Sequence, residues 1–135
     1  MTAPSVGCDV VAVARMRRLV ADRPGARERV FTPAELADAV RGDVDPDSDV
    51  AIERLAARFA AKEAARKALR ARGPALLAVE VRTDHDGAPE LWIDGRQTAL
   101  ACSLSHDAGV ALAVVVATPE AVADLPTWRP DHLTT

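Results

Sequence analysis

Two carboxylates and a small cluster of cations are the residues of this chain whose types and places could do chemistry. Asp9 interrupts an otherwise apolar, β-branched run, Val6-Gly7-Cys8-Asp9-Val10-Val11-Ala12-Val13, and Glu63 lies in an alanine-rich helical segment. A carboxylate held in a buried element is costly unless it is paired or binds a cation. Two of them, on elements that share a core, could converge on one hard cation such as magnesium. Lys62, Arg66 and Lys67 surround Glu63 in the chain. Metal and ammonium groups together suit a phosphate or pyrophosphate, whose oxygens they neutralise. The same residues allow plainer readings. Glu63 and Lys67 stand in the favourable i,i+4 order of a surface pair worth only about 0.2–0.5 kcal/mol, and Asp9 could cap a backbone amide at a strand end. His106, within Ser103-Leu104-Ser105-His106-Asp107, could bind a phosphate, shuttle a proton or simply occupy a turn. No Walker or Gly-x-Gly-x-x-Gly sequence occurs, and Ser105 lacks the Gly-x-Ser-x-Gly setting of a hydrolase nucleophile.

These groups must be positioned by a strand, a long helix and two hairpins. Val6 to Val13 reads as a buried strand, after which Met16, Leu19 and Val20 recur at helical spacing until Pro24-Gly25. Thr32-Pro33-Ala34-Glu35 is a capping box with proline at the first helical position, so a short helix runs to about Val40. A polar, acidic loop follows from Gly42 to Ser48. Asp49 to Arg70 is the longest regular segment: Ile52, Leu55 and Phe59 form one stripe that leads up to Glu63 and Arg66, and alanines fill the opposite side. A helix that is methyl groups on one face and apolar on another is expected to be central, with its charged residues aimed at a defined site. Leu76 to Arg82 and Pro89 to Ile93 read as a hairpin around Asp84-His85-Asp86-Gly87. A second hairpin, Ala99 to Ser105 and Val110 to Ala117, turns at His106 to Gly109. The order of strand, helices and hairpins gives the α+β class, with the sheet packed on a long central helix. Residues 1–118 are expected to form one domain and residues 119–135, with Pro126 and Pro130, a loosely held tail.

Composition narrows the partners. A chain of 135 residues supports one domain and one core. A formal charge of −3 argues against nucleic acid as the main partner. The charge is uneven: Arg15, Arg17, Arg18, Arg23, Arg27 and Arg29 crowd the first thirty residues, whereas acids dominate from Glu35 to Glu53. A basic N-terminal third suggests docking to an acidic partner, and equally allows a solvated arginine-rich surface. Cys8 and Cys102 are too few for a disulfide scaffold and read as buried small hydrophobes. Met1 to Pro4 carries no basic leader and no run approaches the roughly 20 apolar residues of a membrane span, so a cytoplasmic protein is expected.

Four blocks resemble the holo-acyl-carrier-protein synthase group of the 4'-phosphopantetheinyl transferase superfamily. Gly7-Cys8-Asp9 through Arg15 is similar to the family's Gly-x-Asp-x-x-x-x-x-Arg. Arg58-Phe59-Ala60-Ala61-Lys62-Glu63-Ala64-Ala65-Arg66-Lys67-Ala68-Leu69 resembles its Arg-Phe-x-x-Lys-Glu-Ala-x-x-Lys-Ala helix, and Ser103-Leu104-Ser105-His106 its Ser-(Ile/Leu)-Ser-His turn. Arg29-Val30-Phe31-Thr32-Pro33-Ala34-Glu35 fits its Thr-x-x-Glu helix start.

The resemblance implies a transferase fold of that family and a transfer of the phosphopantetheine arm of coenzyme A to a serine of an apo acyl carrier protein, releasing 3',5'-ADP. It implies Asp9 and Glu63 as Mg²⁺ ligands, with Lys67 on the phosphates. Lys62, Ser105 and His106 are expected at the coenzyme A, His106 toward its 3'-phosphate, and Arg15 and Arg18 at the carrier. It implies a homotrimer with sites between subunits. Ala12 stands where many members carry an acid, Arg70-Ala71-Arg72-Gly73 replaces a glycine-rich loop, and 94–100 is shorter than the family's helical insertion. Two other readings use the same residues: a relative that binds carrier or coenzyme A without turnover, and a magnesium-dependent nucleotide pyrophosphate hydrolase.

Overall fold

Residue alternation in the first strand sets the architecture. The computed structural model of the protein describes residues 3–70 and 74–125. Strand β1 (Ser5–Ala12) turns Gly7, Asp9 and Val11 to one side, and Gly7 and Val11 are buried there. It pairs antiparallel with β6 (Val110–Ala117), which pairs antiparallel with β5 (Ala101–Asp107), in the order β1-β6-β5. The matching side of β6 supplies Ala111, Ala113, Val115 and Ala117, all buried. Helix α4 (Asp49–Leu69) lies across this face. Its Ala57, Ala61, Ala64, Ala65 and Ala68 are all buried, so the alanines that the sequence places opposite the Ile52 stripe are packing residues. Gly7 is where the two elements come closest: a Cβ built there would lie 1.9 Å from the Ala64 carbonyl oxygen and 2.6 Å from the Ala68 nitrogen. Only a residue without a side chain allows that approach.

Helices α1 (Val13–Asp22), α2 (Ala26–Val30) and α3 (Pro33–Ala39) precede α4, and α1 and α3 pack against it. The capping box forms as expected. Thr32 N–H donates to Glu35 Oε1 (2.9 Å) and Glu35 N–H to Thr32 Oγ1 (3.2 Å). A second antiparallel sheet, β2-β3-β4, consists of β2 (Val79–Thr83), β3 (Pro89–Ile93) and the two-residue β4 (Arg96–Gln97), and its Val79, Val81, Leu91 and Ile93 complete the core. Two boundaries differ from the sequence reading. His106 belongs to β5, and the turn is shorter, at Ala108-Gly109. Residues 119–123 are helix α5, capped by Thr118 and with Ala121 buried, so the chain after 118 does not begin as a loose tail. The rest of that segment, 126–135, lies outside the described residues, as do 71–73. Cys8 faces outward, because its neighbours Gly7 and Asp9 face α4; only Cys102 is partly covered. Among the described residues, no helix is long and apolar enough to cross a membrane.

Candidate active site

Strand β1 and the last turns of α4 bring three of the expected residues together. Asp9 stands on the helix-facing side between Gly7 and Val11, and its side chain is only 16% exposed. Lys67, one turn after Glu63, reaches across the seam and donates from Nζ to Asp9 Oδ1 (2.9 Å) and to the Cys8 carbonyl (3.0 Å). The hydrogen bond and the charge of Asp9 raise the Lys67 ammonium above the ordinary lysine value, and the nearby charge of Glu63 adds to this. Both carboxylates therefore act on one cation. Among the described residues Glu63 is held only by Arg66, at 3.4 Å. The i,i+4 pair that sequence spacing allows between Glu63 and Lys67 is not the bond that forms, since Lys67 is taken by Asp9.

Lys62 goes elsewhere, which corrects its grouping with the phosphate-facing cations. One residue along a helix is about 100° of rotation, and that turn carries Lys62 into the core beneath α3. There it is fully buried, paired with Glu35 and set over the Phe31 ring at 5.6 Å. Glu35 is the residue that sequence reasoning reads as a helix cap and nothing more. Arg58 is also buried, bonded to Asp38 and to the Arg54 carbonyl, and its Nε has no partner among the described residues.

Ser105 and His106 are adjacent in β5 and therefore point to opposite faces. His106 stands in the helix-side row with Ala111 and Val11, whereas Ser105 is in the outer row with Leu112 and Val10. Within the subunit neither reaches Asp9: two strand spacings and two residue rises separate His106 from Asp9, about 12 Å at Cα. His106 Nδ1 lies 2.7 Å from Glu53 Oε1, near the start of α4.

Arg15 and Arg18 flank a cavity of about 410 Å³ whose floor is Val11, Met16, Leu19 and Phe59. Two other arginines of the N-terminal third make pairs within the chain. Arg17 pairs with Asp49, and Arg27 with Asp47 (2.8 Å), so the acidic loop neutralises part of the basic surface. Asp84, His85 and Asp86 also cluster, at the β2–β3 turn, but Asp84 Oδ1 accepts the Asp86 and Ala88 amides and thereby closes that turn.

Comparison with known proteins shows which family has this sequence and fold. A family model described as the 4'-phosphopantetheinyl transferase superfamily matches residues 5–117. A holo-[acyl-carrier-protein] synthase of Salinispora arenicola is 43% identical over 125 residues, covering 84% of this chain and 96% of that protein. One of Streptomyces avermitilis is 41% identical over 128 residues, covering 87% and 98%. The solved structure of the Bacillus anthracis holo-(acyl-carrier-protein) synthase, in complex with CoA (3',5'-ADP), superposes with a TM-score of 0.69 at 30% identity, covering 84% of this chain and 94% of that one. The Helicobacter pylori synthase in complex with coenzyme A gives 0.67 at 27% identity, covering 84% and 99%.

Proposed function

Because the chain belongs to the 4'-phosphopantetheinyl transferase superfamily and to its holo-[acyl-carrier-protein] synthase group, we propose that Asp9, Glu63 and Lys67 carry the transfer of the phosphopantetheine arm from coenzyme A to a carrier serine. The observation that supports this is the bond from Lys67 to Asp9 across the β1–α4 seam, with Glu63 one helical turn away.

The residues fit a magnesium ion. Both are hard oxygen donors, Asp9 is largely covered, and Glu63 is only loosely held by Arg66. Asp9 and Glu63 would hold it, and when bound it supplies neutralisation of the pyrophosphate oxygens of coenzyme A. The chain's own residues do the rest. Lys67 stays charged throughout the neutral range and is fixed by two acceptors, so it offers a preorganised donor to oxygens that gain charge as 3',5'-ADP leaves. Asp9 orients that ammonium. The incoming serine oxygen forms its bond to the β-phosphorus, the bond to the departing 3',5'-ADP breaks, and the hydroxyl proton passes to solvent.

Arg15 and Arg18 receive the carrier. Their cavity has an apolar floor and a rim where Arg15, Arg18 and Arg23 outnumber Asp22, which complements an acidic surface with an apolar residue at its centre. Three copies assemble through the outer face of the β1-β6-β5 sheet. Val6 and Val10 are 62% and 57% exposed there, beside Val110, and among the described residues no element packs over Val6 or Val10. Assembly would bring a neighbour's His106 toward the nucleotide, which accounts for its distance from Asp9 within one subunit. Substrates of this kind place the protein in the cytoplasm.

The reading is tested with Glu63→Gln, which removes one charge at little volume change. Transfer is expected to fall ~10²-fold or more while the far-ultraviolet dichroism is unchanged. A folded variant with wild-type turnover would overturn the assignment. Release of 3',5'-ADP with no carrier present would favour a hydrolase instead.

A further inference from the structure

The buried pair of Glu35 and Lys62 lies outside the site just described, yet Lys62 is the residue next to Glu63. We infer that Glu35 is a positioning residue for the active site: by anchoring Lys62 it fixes the rotation of α4 that presents Glu63 and Lys67 to Asp9. This rests on the proposed function of that site.

Glu35 is fully buried, and both of its oxygens are engaged. Oε1 accepts the Thr32 amide at 2.9 Å and the Lys62 ammonium, and Oε2 accepts the Val81 amide at 2.9 Å. Val81 lies on β2, the outer strand of its sheet, so one carboxylate ties together the start of α3, an open strand edge and the middle of α4. A buried ion pair is a poor device for stability, since apolar residues of the same volume do as well or better. What it supplies is direction. Lys62 precedes Glu63 by about 100° around the helix, and Lys67 lies about 40° beyond Glu63. Pinning Lys62 toward α3 and β2 therefore turns the other two toward β1. On the opposite side the Ala64 carbonyl abuts Gly7, so α4 is held against rolling from both sides.

The test compares the wild type with Glu35→Gln, Glu35→Asp and the double variant Glu35→Gln/Lys62→Met. Mn²⁺ affinity, read from the electron paramagnetic resonance signal of the free ion, is measured beside kcat and the melting temperature. Glu35→Gln and Glu35→Asp are each expected to weaken Mn²⁺ binding and to lower kcat about tenfold, at temperatures where dichroism shows them folded. The double variant is expected to regain the melting temperature but neither the affinity nor kcat. Wild-type affinity and kcat in a folded single variant, or recovery of both in the double variant, would overturn the inference and leave the pair with a packing role. If Glu35→Gln does not fold, Glu35→Asp and the double variant decide alone. A wild type that neither binds Mn²⁺ nor transfers the arm would overturn the reading of the site itself, which an active wild type with unaffected variants would not.

Discussion

Substitution of Gly7 by alanine tests whether the close approach of β1 to α4 is what assembles the site. The added Cβ would stand 1.9 Å from the Ala64 carbonyl oxygen, where ordinary contact begins at 3.4 Å. The strand must therefore retreat by about 1.5 Å. Overpacking a core site costs about 1–3 kcal/mol when the neighbours are side chains that can give way. Here the obstacle is helix backbone, so the loss is expected at the top of that range or above it. Asp9 is two residues along the same face, and a retreat of that size takes its Oδ1 from 2.9 Å to beyond hydrogen-bond reach of Lys67. Misplacement on the ångström scale is worth ~10²-fold in rate. Denaturant unfolding and transfer per folded molecule are the two readouts. Gly109→Ala is the control. It strains a turn at φ 77° by about 1–2 kcal/mol, in open space, without touching α4. Wild-type stability in Gly7→Ala would refute the packing argument. Lost stability with undiminished transfer by the folded fraction would refute the link from packing to chemistry.

Other outcomes follow from particular contacts. Burial pushes the Cys102 thiol up to about 11, which leaves roughly a hundredfold less thiolate at pH 8 than an ordinary cysteine has. Iodoacetamide at that pH should leave Cys102 unmodified until denaturant is added, and rapid labelling of the folded protein would contradict this. Arg18→Glu should raise the KM for carrier about tenfold with little change in kcat, and the effect should shrink at high salt. Arg17→Glu should raise it less, because Arg17 already serves Asp49; equal effects would refute the docking face. Val10→Asp puts a charge on the exposed sheet face and should convert a trimer into monomers by light scattering. A wild-type monomer, or a trimer that tolerates the charge, would contradict assembly through that face.

Local signals were legible wherever one element carried the whole pattern. The apolar run with a lone Asp9 formed β1, the Thr32–Glu35 box formed α3, and the two-sided helix formed α4. Lys62 was not legible, because neighbouring helix positions differ only in which wall they face, and the wall is Glu35, 27 residues earlier. The faces of Ser105 and His106 were hidden by the turn. A two-residue hairpin with Ala108 at φ 50° and Gly109 at φ 77° puts alanine where glycine or asparagine is expected, so the sequence suggested a longer loop. Helix α2 is five residues long, too short for periodicity. The equally short α5 does announce itself: Thr118 before Pro119 is a cap followed by proline at the first helical position, and Thr118 Oγ1 accepts the Ala121 amide at 3.1 Å. That signal could have moved the domain boundary beyond residue 118.

The central claim is most directly tested by intact-mass spectrometry of an apo acyl carrier protein incubated with this protein, coenzyme A and Mg²⁺. The account predicts that the carrier gains the mass of one phosphopantetheine arm, on a serine, and that EDTA abolishes the gain. An unchanged carrier mass with fatty-acid, polyketide and peptide carriers alike, from a folded protein, would contradict it and point to a relative that binds without turnover.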